Sequence, residues 1–129
     1  MKAAVSAEFA AAKRVGPKFA DKTNVAMVRI HSACQIHPMV VPSWRSRLPD
    51  RLVMVANTGY LSGRVNFAMR TATGTNLLDF LKRHAPPDPG DHYGHGHDQA
   101  TGGSLPYLQW NLFVRGRGFG PEAIGKEAA

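Results

Sequence analysis

Near the C-terminal end of the 129-residue chain, the stretch Leu112–Ile124 carries Gly116, Gly118 and Gly120 in alternation, with Arg115 and Arg117 set among them. Glycine has no Cβ to block positive φ or close approach, so such a stretch allows several backbone N–H groups to converge on one ligand. Between a strand and the first turn of a helix, those N–H groups and the positive end of the helix dipole form a cradle for phosphate. The two guanidinium groups would add charge-assisted hydrogen bonds. The same residues also suit a tight strand-to-helix turn with solvated arginines. A dinucleotide fingerprint and a P-loop are both excluded: the spacing is Gly-x-Gly-x-Gly, only residues 121–129 follow, and no Gly-Lys-Ser/Thr occurs.

Two further groups of residues have ligand chemistry. His31, Cys34 and His37 stand three apart, and His92, His95 and His97 lie in a glycine-rich run beside Asp91 and Asp98. Structural zinc needs four ligands on a rigid frame, in paired spacings that neither group shows. The first group reads as ordinary strand positions and the second as an exposed polar insertion. A nucleophile built from Cys34 and a histidine lacks a third, orienting group. The sequence therefore predicts no metal, no cofactor, no small-molecule substrate and no catalysis. Trp44, Tyr60, Tyr93 and Trp110 read as core or loop anchors rather than base-stacking platforms.

Sixteen Lys and Arg against nine Asp and Glu give a formal charge of +7, which favours anionic partners such as nucleic acid or anionic lipid. The length is that of one domain. A single cysteine excludes an internal disulfide, and no apolar run approaches the roughly 18 residues of a membrane span. Residues 1–23 form a basic, Ala-rich N-terminal extension, either a transit-like segment or a short surface helix over Ala3–Arg14. Residues 24–129 form a single α/β domain.

Within that domain, the run Val25–His31 is rich in β-branched residues and predicts a strand, with one or two strands over Asn24–Val41. Pro42–Arg51 reads as an exposed connection. Leu52–Ala56, the turn signal Asn57-Thr58-Gly59, and Tyr60 towards Met69 predict a β-hairpin. Thr75 is placed to cap a helix carrying Leu77, Leu78, Phe80 and Leu81, which Pro86 and Pro87 stop. Pro86–Pro106 reads as a long Pro/Gly/His-rich loop insertion, Tyr107–Val114 as a buried strand, and Pro121 as the start of a terminal helix.

The segment Asn111–Ile124 resembles the ribosomal small-subunit protein eleven family, in which a strand runs into a basic Gly-x-Gly-x-Gly loop and a helix. Gly116, Gly118 and Gly120 fall on the family's glycines, Arg115 on its basic residue and Glu122 on its acid, while Pro121 replaces a basic residue. Val28–Ala33 is similar to the family's first strand, and Ala56–Gly63 to its hairpin turn. The resemblance implies a mixed β-sheet flanked by helices, of the ribonuclease-H-like type, and a structural, rRNA-binding role in a small ribosomal subunit, in its divergent form that of a mitochondrion. Its partners would be small-subunit rRNA and neighbouring ribosomal proteins. Arg115, Gly116, Arg117, Gly118 and Gly120 would hold phosphate, and Arg64, Arg70, Lys82 and Arg83 would make a second contact. The alternative is an accessory subunit of another large organellar assembly, such as a respiratory complex.

Overall fold

The computed structural model describes residues 2–20, 23–122 and 124. Its elements in chain order are α1 (Lys2–Ala12), β1 (Lys18–Phe19), β2 (Val25–Ile30), α2 (His37–Arg47), β3 (Leu52–Asn57), β4 (Arg64–Thr71), α3 (Leu77–Arg83), β5 (His95–Gly96), β6 (Ala100–Pro106) and α4 (Tyr107–Gly116), followed by one 3-10 turn (Gly120–Glu122). The strands form one mixed sheet in the order β1-β2-β3-β4-β6-β5, in which β2 and β3 are parallel and the other pairs antiparallel. The expected mixed α/β architecture is present, with helices on both faces of the sheet.

Alternation along the strands sorts the core into two layers. Val25, Met27, Leu52, Met54, Val65, Phe67 and Met69 face α3 and α4, where Trp110, Phe113 and Leu81 complete the packing. Val28, Ile30, Val53, Val55 and Ala68 face α1 and α2. The parallel β2–β3 pair requires a crossover, and α2 supplies it. The N-terminal segment is part of this body: Ala12 is buried beside Val5 and Phe9 in the second layer, and β1 pairs with β2.

Several elements differ from the sequence expectation, each for a physical reason. Tyr107–Val114 lies in helix α4 and is not a strand. Its buried residues Trp110, Asn111, Phe113 and Val114 alternate with exposed Leu108 and Leu112 at helical spacing, and a dense apolar run hides that period. The connection Pro42–Arg51 is largely helix α2: Pro38 sits in the first turn, where a missing N–H costs nothing, and Pro42 is tolerated inside. Part of the Pro86–Pro106 loop is strand β6, which has two glycines and forms because β4 presents a full ladder to it. Asn76 rather than Thr75 caps α3, its Oδ1 accepting from Asp79 N at 3.1 Å. Of the expected terminal helix, Gly120–Glu122 form a 3-10 turn, Ile124 is not helical, and 123 and 125–129 lie outside the described residues.

That last turn is anchored from both ends of the chain. Glu122 is 2 % exposed, and its carboxylate receives Lys18 Nζ at 2.8 Å and Arg29 Nη1 at 3.4 Å. Trp110 Nε1 donates to the Glu122 carbonyl at 3.1 Å, and the Asn111 amide pairs with both backbone groups of Ile124.

Candidate functional site

On β4, alternation places Arg64, Asn66, Ala68 and Arg70 on the same sheet face as α2. The register sets Pro106, Ser104, Gly102 and Ala100 of β6 opposite them. A cleft of about 730 Å³ opens there, floored by β4 and β6. Residues His37, Pro38 and Val41 of α2 form one wall, and His92 and His95 form the other. Five residues of extended strand separate Arg64 from Arg70, about 20 Å along the floor.

Arg64 is held in place by β6: its Nε donates to Ser104 Oγ at 2.7 Å and its Nη2 to the Ser104 carbonyl at 3.2 Å. Among the described residues both ion pairs converge on Glu122, so Arg64 and Arg70 have no carboxylate partner. No Asp or Glu among the described residues lines the cleft. An arginine fixed by neutral acceptors keeps its full charge available to a ligand, and the planar guanidinium fork matches phosphate oxygens.

The glycines of β6 make the wall possible. A Cβ on Gly103 would lie 2.7 Å from Gly94 N and 2.8 Å from the His92 carbonyl, and one on Gly102 would lie 2.9 Å from the Phe67 carbonyl. With hydrogen there instead, the loop carrying His92 folds against β6, and Ser104 N donates to the His92 carbonyl at 2.8 Å. Tyr93 pins the loop from the other side through its hydroxyl, which donates to the Leu81 carbonyl at 2.6 Å; burial pushes that phenol up from its ordinary range.

Two polar side chains of the cleft are left incomplete. His37, 4 % exposed, stands at the first position of α2, and its buried Nδ1 has no hydrogen-bond partner. Burial pushes its imidazole down to about 4, so the ring is neutral near pH 7. Asn66, on the floor, likewise has a buried Oδ1 without a partner.

Of the residues singled out from sequence, Arg64 and Arg70 enter the cleft. Lys82 and Arg83 end α3, and Arg115 and Gly116 end α4; both helices pack on the opposite face of the sheet. The phosphate cradle at the glycine run does not form. The run lies at the C-terminus of a helix, where carbonyls face outward and the dipole favours cations. Its N–H groups are already used: Arg117 N donates to Phe113 O and Val114 O, Gly118 N to Arg115 O, and Phe119 N to Val114 O. Gly118, at φ +88°, supplies the left-handed residue that this helix ending needs, and Phe119 packs back on the core. Arg117 lies partly in the protein, with Nη1 buried and unpartnered and its pKa lowered by desolvation. Gly120 opens the 3-10 turn.

Sequence reasoning set His37 aside as an ordinary strand position, whereas it opens α2, and missed Asn66, Ser104 and the Gly102-Gly103 pair. The last carried a readable signal, since adjacent glycines within a strand mark a close approach of another backbone. The histidine groups do not converge as metal sites. His31 is exposed and shares a 2.9 Å hydrogen bond with Thr58 Oγ1, whereas His37 lies in the cleft. His92 and His95 have ring centroids 6.3 Å apart, and His95 Nε2 donates to the Asp91 carbonyl at 2.8 Å. Among the described residues no group of three or more His, Cys, Asp or Glu is placed to hold a metal ion, and no helix is long and apolar enough to cross a membrane.

No family model matches the chain, and no curated protein is significantly similar to it. A solved structure shares its fold, and others are similar at lower scores. The C-Ala domain of Aquifex aeolicus alanyl-tRNA synthetase superimposes with a TM-score of 0.51 at 10 % identity, over 77 % of this chain and 91 % of that one. A pGpG-specific phosphodiesterase of Vibrio cholerae aligns with a TM-score of 0.48 at 12 % identity, over 88 % of this chain and 39 % of that one.

Proposed function

We propose that this chain is a nucleic-acid-binding module that seats a short single-stranded segment along the β4–β6 cleft, with Arg64 and Arg70 each holding a phosphate. The observation that carries this reading is the pair of arginines on one face of one strand, without carboxylate partners among the described residues, at the two ends of a cleft that contains no acid. Phosphate contacts of this kind supply affinity and position, and the formal charge of +7 steers an anionic strand towards the protein. The fold is shared with a domain of an enzyme named for tRNA, which agrees with a nucleic-acid ligand. Binding needs no catalytic group, and none is assigned.

The test is fluorescence anisotropy with a labelled nine-nucleotide single strand, as RNA and as DNA, across a salt series. Binding that weakens with salt and is lost in Arg64→Ala/Arg70→Ala is expected. Absence of binding to both strands, or binding that the double variant leaves intact, overturns the reading.

A second reading keeps the small-subunit ribosomal protein, with a ribonuclease-H-like sheet and rRNA as partner in a mitochondrial ribosome. What favours it is a second basic surface: Lys82, Arg83 and Arg115 are exposed on helices of the face opposite the cleft, as suits a protein surrounded by folded RNA. Ultraviolet crosslinking in cells distinguishes the two, since crosslinks in small-subunit rRNA at peptides around Arg115 support the ribosomal placement and crosslinks confined to β4 count against it.

A further inference from the structure

The cleft contains more than a phosphate site requires. Its lining includes apolar residues, with Pro38 and Val41 from α2 and Ala68 from the floor between the two arginines, and Leu61, 43 % exposed, beside the Arg64 end. Phosphate gains nothing from such a wall, whereas the flat face of an aromatic ring does. In the same middle stretch lie His37 and Asn66, each with a buried polar atom that no protein group satisfies. A buried polar atom without a partner costs about 1–3 kcal/mol and calls for an explanation, and here two such residues line one cleft.

We infer that the middle of the cleft takes a nucleobase, its face against Val41 and Ala68 and its edge towards His37 and Asn66. The inference rests on the proposed nucleic-acid reading and adds to it a base-recognition step between the two phosphate contacts. A neutral imidazole offers one donor and one acceptor, and a carboxamide offers both, so together they suit the mixed donor and acceptor edge of a base. Because burial keeps the His37 ring uncharged near pH 7, it adds nothing to phosphate attraction. Arginine ends about 20 Å apart are too distant for adjacent phosphates and thus leave the neutral centre to a base of the intervening nucleotides.

Abasic scanning tests this with the full chain. A set of nine-nucleotide strands is made, each lacking one base while keeping every phosphate, and binding is measured against the parent strand. One interior position is expected at which base loss weakens wild-type binding about tenfold or more. In Asn66→Leu and in His37→Phe, folding being checked by circular dichroism, the parent strand should bind more weakly and the abasic penalty should fall below about threefold. Salt dependence should remain that of the wild type, because the arginines are untouched. Uniform binding of all abasic strands, or a penalty unchanged in Asn66→Leu, overturns the base-recognition inference while leaving the phosphate reading standing. Absence of binding to the parent strand defeats both.

Discussion

Two pairs of arginines, Arg64/Arg70 and Arg115/Arg117, carry the same charge in this chain and occupy opposite environments. The first pair stands on a strand, with Arg64 held by neutral acceptors of Ser104 and the floor between them free of acid. The second pair caps the carbonyl end of α4, where the nearby N–H groups are spent on closing the helix. A cation at a helix C-terminus is already partly compensated by the dipole, and a cation on a sheet face with no acid is not. Arginine and glycine in close sequence therefore do not by themselves make an anion site; what matters is whether the surrounding donors are still free.

The largest expected effect separates the pairs directly. Arg64→Ala/Arg70→Ala should weaken binding of a single strand at least about 100-fold, since each charged hydrogen-bonding contact is worth roughly 1.5–3 kcal/mol. It should also reduce the slope of log affinity against log salt by about 1.4, at roughly 0.7 per phosphate released. Arg115→Ala/Arg117→Ala should stay within about threefold in the same anisotropy titration. Equal losses for the two pairs would erase the contrast.

The second effect is on stability and belongs to the cleft wall. The ordinary histidine value is 6.5, and folding lowers His37 to about 4, so between these values the unfolded chain binds more protons. The contribution of His37 is therefore fully present above about pH 6.5 and is lost as the pH falls towards 4, at a slope approaching ~1.4 kcal/mol per pH unit inside that window. Urea denaturation from pH 4.5 to 7.5 measures this, and His37→Phe should flatten the profile. An unchanged slope in the variant would assign the dependence to another group.

Smaller effects distinguish the glycines of the two regions. Gly103→Ala drives a methyl into Gly94 and the His92 carbonyl, and should cost about 1–3 kcal/mol in thermal or urea unfolding while also weakening binding. Gly118→Ala must hold φ +88° with a side chain, costing about 1–2 kcal/mol with binding preserved. Gly116→Ala meets nothing within 4 Å at the end of α4, and should stabilise by about 0.5–1 kcal/mol. If Gly116→Ala proved the most damaging of the three for binding, the turn rather than the cleft would be the ligand site.

The hairpin of β3 and β4 and the helix α3 were legible in the sequence because their signals are local: β-branched runs about a polar turn, and an apolar stripe ended by prolines. Helix α4 was not, since Trp110, Phe113 and Val114 crowd with Leu108 and Leu112 into a run whose burial only the sheet can sort. Strand β6 was hidden for the opposite reason, its Gly102 and Gly103 having almost no intrinsic preference for a strand until β4 imposes one. Arg64 and Arg70 were found as charges but not as a pair, because their shared face depends on the register of β4. Asn66 became a candidate, and His37 returned as one, only when burial showed which polar atoms lack partners.

Pairing across the sheet also sets the order in which the protein assembles. Asn57 pairs with Asn66 within one hairpin, while Arg64 pairs with Pro106 across the whole intervening chain through α3 and β5. Contacts that close long loops pay their entropy before they gain energy, so the central hairpin forms early and the β4–β6 ladder late. The capacity to bind is then acquired after the hairpin, and refolding followed by strand binding should lag behind the recovery of far-ultraviolet circular dichroism. Simultaneous recovery of the two signals would place β6 in the folding nucleus.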